Sequence, residues 1–114
     1  MNAKELWKLE YQNEIDRAFA ARLLGNEGMA RVCARRAAGI VVEEYLKRRG
    51  FANQTHSAYD HLSIFTNFPN IDQKHKKIVG HFLLRVDKNH KLPSDIDLIN
   101  EAIWLEKSLL DNTN

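Results

Sequence analysis

Arg85 and His90 lie in the stretch RVDKNH with four residues between them, and their types suit one reaction. Histidine titrates near neutral pH and can take the proton of a ribose 2′-hydroxyl. Arginine offers a fixed two-pronged donor that can hold a phosphate as charge builds on it. Together they describe metal-independent RNA cleavage, with His90 as the base and Arg85 as the phosphate clamp. Geometry sets a condition on that chemistry. Five positions on an ideal helix rotate a side chain by about 500°, or about 140° net, so an unbroken helix through His90 points the two groups apart. They converge only if the helix ends between them or a second subunit completes the site, and Pro93 favours an end near Asn89. A solvated arginine beside a turn histidine is the competing reading. Arg49 and His56 form a second pair of the same kind across a helix end and a loop.

Charges within apolar stretches are the next candidates. Arg36 and Glu44 interrupt the apolar stripe of the second helix, and Glu14 and Arg22 hold comparable places on the first. A buried charge is costly unless paired, so each is expected to meet an opposite charge from a neighbouring helix or to line a polar pocket. Arg31, Arg35, Lys47, Arg48 and Arg49, with Lys74, Lys76 and Lys77, could meet phosphates. Acidic neighbours (Glu43, Glu44, Asp72) and the lack of interleaved aromatics favour a solvated face. On the binding reading, Arg31 and Arg35, one turn apart, and the stripe charges Arg36 and Glu44 are the candidate binding residues. His56, His61 and His75 have no ligand-like partners in sequence, so no metal is expected. The single cysteine, Cys33, sits among Val32, Ala34, Ala37 and Ile40 and reads as a buried small hydrophobe, compatible with a reducing cytosol. Trp7 and Trp104 fall on apolar faces and read as core or interface.

The elements that must position these groups read as helices. Residues 3–24 carry Trp7, Tyr11, Ile15, Ala18 and Phe19 at helical spacing, and Gly25-Asn26 breaks the pattern with a left-handed glycine and the next N-cap. Residues 27–49 are apolar over much of the circumference: Met29, Val32, Cys33, Ala37, Ile40, Val41 and Tyr45 form one stripe, which Ala30, Ala34, Ala38, Val42 and Leu46 widen. Such a helix sits centrally, and Ala34, Ala37, Ala38 and Gly39 permit close approach of another. Ser57 caps a short helix over 58–67. Pro69 and Asn70 break the chain before a helix from about Asp72 to near Lys88, with His75, Ile78, Val79, Phe82, Leu83 and Val86 as its stripe. Ser94 caps the last helix, with Asp95 and Asp97 in its first turn. No segment alternates for long enough to predict a strand.

The order of these elements resembles the HEPN family of small prokaryotic helical bundles. Three passages carry the resemblance: NEGMARVCARRAAGIVVEEYLKRRG, SAYDHLSIF and HKLPSDIDLINEAIWLEKSLL. It implies a dimeric bundle. Some members are ribonucleases, and others accompany small nucleotidyltransferases in toxin–antitoxin pairs. The family's ribonucleases carry Arg and His across a short spacer that Arg85 and His90 match. They usually place a polar residue after the Arg, near the head of the last helix; here Val86 follows, and the last helix is expected only from Ser94.

Size and charge fit a soluble helical module. A chain of 114 residues forms one domain with a core of its own. With 44% hydrophobic and 28% charged residues it has globular composition, and a net charge of +2 is too mild to imply nucleic acid by itself. No leader with an apolar h-region and no membrane span is visible. The expectation is an all-α, antiparallel up-down bundle of four main helices plus one short helix. It would be cytoplasmic and homodimeric, need no cofactor, and bind a small nucleotidyltransferase-type partner, with RNA as a further candidate partner. The alternatives are a metal-independent endoribonuclease using Arg85 and His90, and a structural helical interaction module.

Overall fold

The computed structural model describes residues 5–51, 57–84 and 96–110. Among these the chain is all-helical, with five helices: α1 (Leu6–Leu23), α2 (Glu27–Arg48), α3 (Ala58–Thr66), α4 (Gln73–Leu83) and α5 (Leu98–Leu109). No strand occurs among the described residues.

The helix ends follow local chemistry. After α1, Gly25 takes φ +77°, Gly25 N–H donates to Arg22 O at 3.0 Å and Asn26 N–H to Ala21 O at 2.8 Å. After α2, Gly50 takes φ +81°, with Gly50 N–H to Lys47 O at 3.0 Å and Phe51 N–H to Leu46 O at 2.9 Å. Both are Schellman closures, which need a residue free to enter the left-handed region. Asn26 and Ser57 are N-caps, as their positions in the sequence predict: their side chains accept from Met29 N–H and Asp60 N–H.

α2 is the central helix, packed against α1, α3, α4 and α5. Its buried side includes Ala34, Ala37, Ala38, Val41, Val42 and Leu46, each fully enclosed. Phe65, Phe82, Leu62, Ile99 and Leu105 are the largest side chains supplied to the same core by the later helices. Aromatic rings meet edge to face at Tyr45–Phe65 (5.5 Å) and Phe51–Phe68 (5.7 Å). The small-residue face of α2 does admit a close neighbour, because Gly39 lies directly against Ala58 at the start of α3.

Several expectations need correction. α4 ends at Leu83, well before Lys88, and Leu84 is already extended (ψ 136°). Asp97, rather than Ser94, caps the last helix, accepting from Ile99 N–H and Asn100 N–H. Phe19 and Met29, read as stripe residues, are 43% and 45% exposed, while Ala21 and Ala30 are buried. Helical spacing alone does not separate a core face from the flank beside it, and the alanines pack closer to the helix axis. Val86 and the segment carrying Ser94 lie outside the described residues.

Candidate binding cleft

Glu10 and Glu14 stand one turn apart on α1, and Arg36 and Glu43 stand two turns apart on α2. The first turn of α3 brings His61 against them. The result is a cleft of about 510 Å³ lined by these five residues and Arg35, with Gly39 and Ala58 at the close crossing of α2 and α3. His61 is 3% exposed, and its Nε2 lies 3.5 Å from Glu43 Oε2. Glu14 Oε2 is 3.7 Å from Arg17, whereas its Oε1 is buried with no hydrogen-bond partner among the described residues. The lining thus carries carboxylates, guanidinium groups and an imidazole within one concavity. Both signs of charge suit a ligand surface that also carries both, more than a polyanion.

Arg35 and Arg36 reach this cleft together, but they act differently. Arg35 Nε donates to Phe82 O at 2.8 Å, closing an open carbonyl in the last turn of α4. Arg36 is exposed at the cleft. Glu44 lines the adjacent groove with Trp7 and Lys47, and accepts from Arg48 Nε at 3.0 Å within its own helix. The cross-helix partner expected for Glu44 is therefore replaced by an i,i+4 pair. Arg31 is partly buried near Glu27 rather than part of this lining. Arg85, His90 and His56 lie outside the described residues.

Arg22 does bridge helices. It donates to Glu27 through Nη2 (2.7 Å) and Nε (3.1 Å), and its Nη1 lies 3.2 Å from both oxygens of Asp97. The hydrogen bond from Arg22 holds Glu27 below the usual carboxylate range. A second link, His81 Nδ1 to Glu101 at 2.8 and 2.9 Å, joins α4 to α5.

The basic residues are dispersed over different partners. Arg49 lies over Tyr45 (4.7 Å), Arg48 over Trp7 (5.8 Å) and Lys74 over Trp104 (4.8 Å). Among the described residues no group of three His, Cys, Asp or Glu is placed to hold a metal ion, and no helix is long and apolar enough to cross a membrane.

Glu10, Glu43 and His61 were missed as site residues. The helical spacing of Glu10 with Glu14 and of Arg36 with Glu43 is visible in the sequence. The arrival of His61 depends on how α3 crosses α2, which no local pattern encodes. Comparison of the chain with family models, with curated proteins and with solved structures finds no match in any of the three.

Proposed function

We propose that the chain is a HEPN-like binding module, an up-down bundle that pairs with a second copy of itself and with a small nucleotidyltransferase-type protein. The observation that carries this reading lies at the turn between α1 and α2. Leu23 and Leu24 are 87% and 86% exposed there, with Phe19 one turn before Leu23 and Met29 in the first turns of α2 also open. Large apolar side chains gathered at one end of a hairpin mark a surface that gains by being covered. The mixed-charge cleft beside Arg36 would add selectivity for the protein partner. The family resemblance supplies the identity of that partner.

The test is co-purification and light scattering after size exclusion. The wild-type chain is expected to elute as a dimer and to retain a co-expressed nucleotidyltransferase-type partner. Leu23→Lys with Leu24→Lys should reduce both without loss of helicity, since exposed positions tolerate charge within about 0.5 kcal/mol. A monomeric wild type that retains no such partner ends this reading.

α4 ends at Leu83, and Arg85 and His90 lie outside the described residues, so the ribonuclease alternative is tested by its chemistry. On that alternative, wild-type protein should cleave mixed RNA in chelator while Arg85→Ala and His90→Ala do not. Intact RNA with all three would exclude it.

A further inference from the structure

Asp72, His75 and Ser108 are joined in series where the start of α4 meets the last turns of α5. Asp72 Oδ1 accepts the backbone N–H of His75 at 2.8 Å and lies 2.6 Å from its Nδ1. A carboxylate only accepts, so Nδ1 carries the proton and Nε2 of the neutral ring is left as an acceptor. Ser108 Oγ is 3.0 Å from that Nε2. The other acceptor within reach of the hydroxyl, Leu105 O, is at 3.4 Å, beyond the usual O–H···O range. The imidazole is held against Trp104 with ring centroids 4.9 Å apart. The same residues face a cleft of about 380 Å³ whose wall also carries Arg49 and Asn70.

An N-cap requires only the Asp72 carboxylate and the His75 amide. It does not require the ring to be aligned by its Nδ1 and its far nitrogen to receive a hydroxyl. That order, carboxylate to imidazole to hydroxyl, is the one that activates a serine. The hydrogen bonds from the His75 backbone and ring keep Asp72 below the usual carboxylate range, so it is charged and able to stabilise an imidazolium. Arg49 and Asn70 line the same cleft and carry N–H groups of the kind that stabilise an oxyanion, and the cleft volume lies at the small end of ligand sites.

We propose that Ser108 is a nucleophile toward short-chain carboxylic esters, with His75 as its general base and Asp72 as a positioning residue. His75 Nε2 takes the Oγ proton as Oγ bonds to the carbonyl carbon. The tetrahedral oxyanion collapses, the bond to the alcohol oxygen breaks, and the alcohol leaves with the proton from His75. Water then attacks the acyl-serine, its proton passing through His75 back to Ser108 Oγ, and the carboxylic acid departs. Ester and water go in; acid and alcohol come out.

The same contacts also tie α4 to α5, so the experiment must separate linkage from chemistry. The full chain is assayed with p-nitrophenyl acetate and labelled with a fluorophosphonate, and the adduct is mapped by peptide mass spectrometry. The expected adduct is on Ser108. His75→Gln should slow both labelling and turnover by about 100-fold or more, and Ser108→Ala should abolish them. Asp72→Asn keeps a capping oxygen but loses the charge; it should lower kcat with KM unchanged. Circular dichroism melts check that each variant folds. Hydrolysis by Ser108→Ala at the wild-type rate, no adduct on Ser108, or equal labelling of folded His75→Gln would reduce the trio to a helix latch.

Discussion

Gly39 of α2 faces Ala58 of α3 so closely that a β-carbon on Gly39 would lie 2.6 Å from Ala58 Cβ and 2.9 Å from its Cα. The obstacle is backbone and a β-carbon, neither of which can rotate away, so α3 would have to move as a unit. Gly39→Ala gains about 1 kcal/mol of helix propensity. Overpacking of a closed contact costs about 1–3 kcal/mol. The second effect wins at this separation, and a net loss of up to about 2 kcal/mol is expected in urea unfolding. At Gly28, where the nearest atom to an added β-carbon is 3.8 Å away, the same substitution should stabilise. Equal responses at the two sites would mean that the crossing is looser than described.

Arg35 gives a second prediction, one of local order. Its Nε is the donor to Phe82 O at 2.8 Å, and its charge sits at the negative end of the α4 dipole. Arg35→Met keeps the apolar stem and removes the donor. The expected cost is about 1–2 kcal/mol, with faster amide exchange concentrated in the last turn of α4. Arg36→Met, at an exposed neighbour in the same cleft, should leave that exchange unchanged. If both variants exchange alike, the carbonyl is satisfied in another way.

These two residues also mark what the sequence discloses. Gly39 in a run of alanines announces close packing without naming its partner. Adjacent arginines announce charge on α2 but not that one is used on α4 while the other is exposed. Caps and stops at Gly25, Asn26, Gly50 and Ser57 were readable because their chemistry is local. The His61–Glu43 approach and the Asp72–His75–Ser108 series were not, since each depends on how separate helices cross. Phe19 and Met29 show the opposite limit: helical spacing assigns them to the core, but the smaller alanines beside them occupy it.

Tyr11 makes stability fall in alkali. It is 5% exposed, and burial, then the Glu106 carboxylate, push its phenol well above the ordinary value of 10.0. The folded protein therefore keeps a proton that the unfolded chain releases near that pH. Its stabilising effect is fully present below the unfolded value and is lost as pH rises beyond it. The limiting slope is about 1.4 kcal/mol per pH unit for one proton. Tyr11→Phe should flatten the decline of the urea midpoint measured between about pH 9 and pH 11. A variant that declines as steeply as wild type would place the alkaline sensitivity elsewhere.

Cys33 tests whether the α1–α2 contact is closed on the timescale of chemistry. The thiol is 2% exposed, and burial followed by the nearby Glu14 carboxylate raises its pKa. Both effects suppress the thiolate, the only form that reacts rapidly with a disulfide reagent. Native protein at neutral pH should react with Ellman's reagent only as fast as it opens, with full reaction on adding denaturant. The native rate should rise in parallel with the unfolding constant across destabilised variants such as Gly39→Ala. Glu14→Gln relieves one of the two causes and leaves the other, so its native reaction should still be limited by opening. Rapid, saturable labelling of the folded wild type, insensitive to stability, would instead mean that the thiol reaches solvent through local motion of α1.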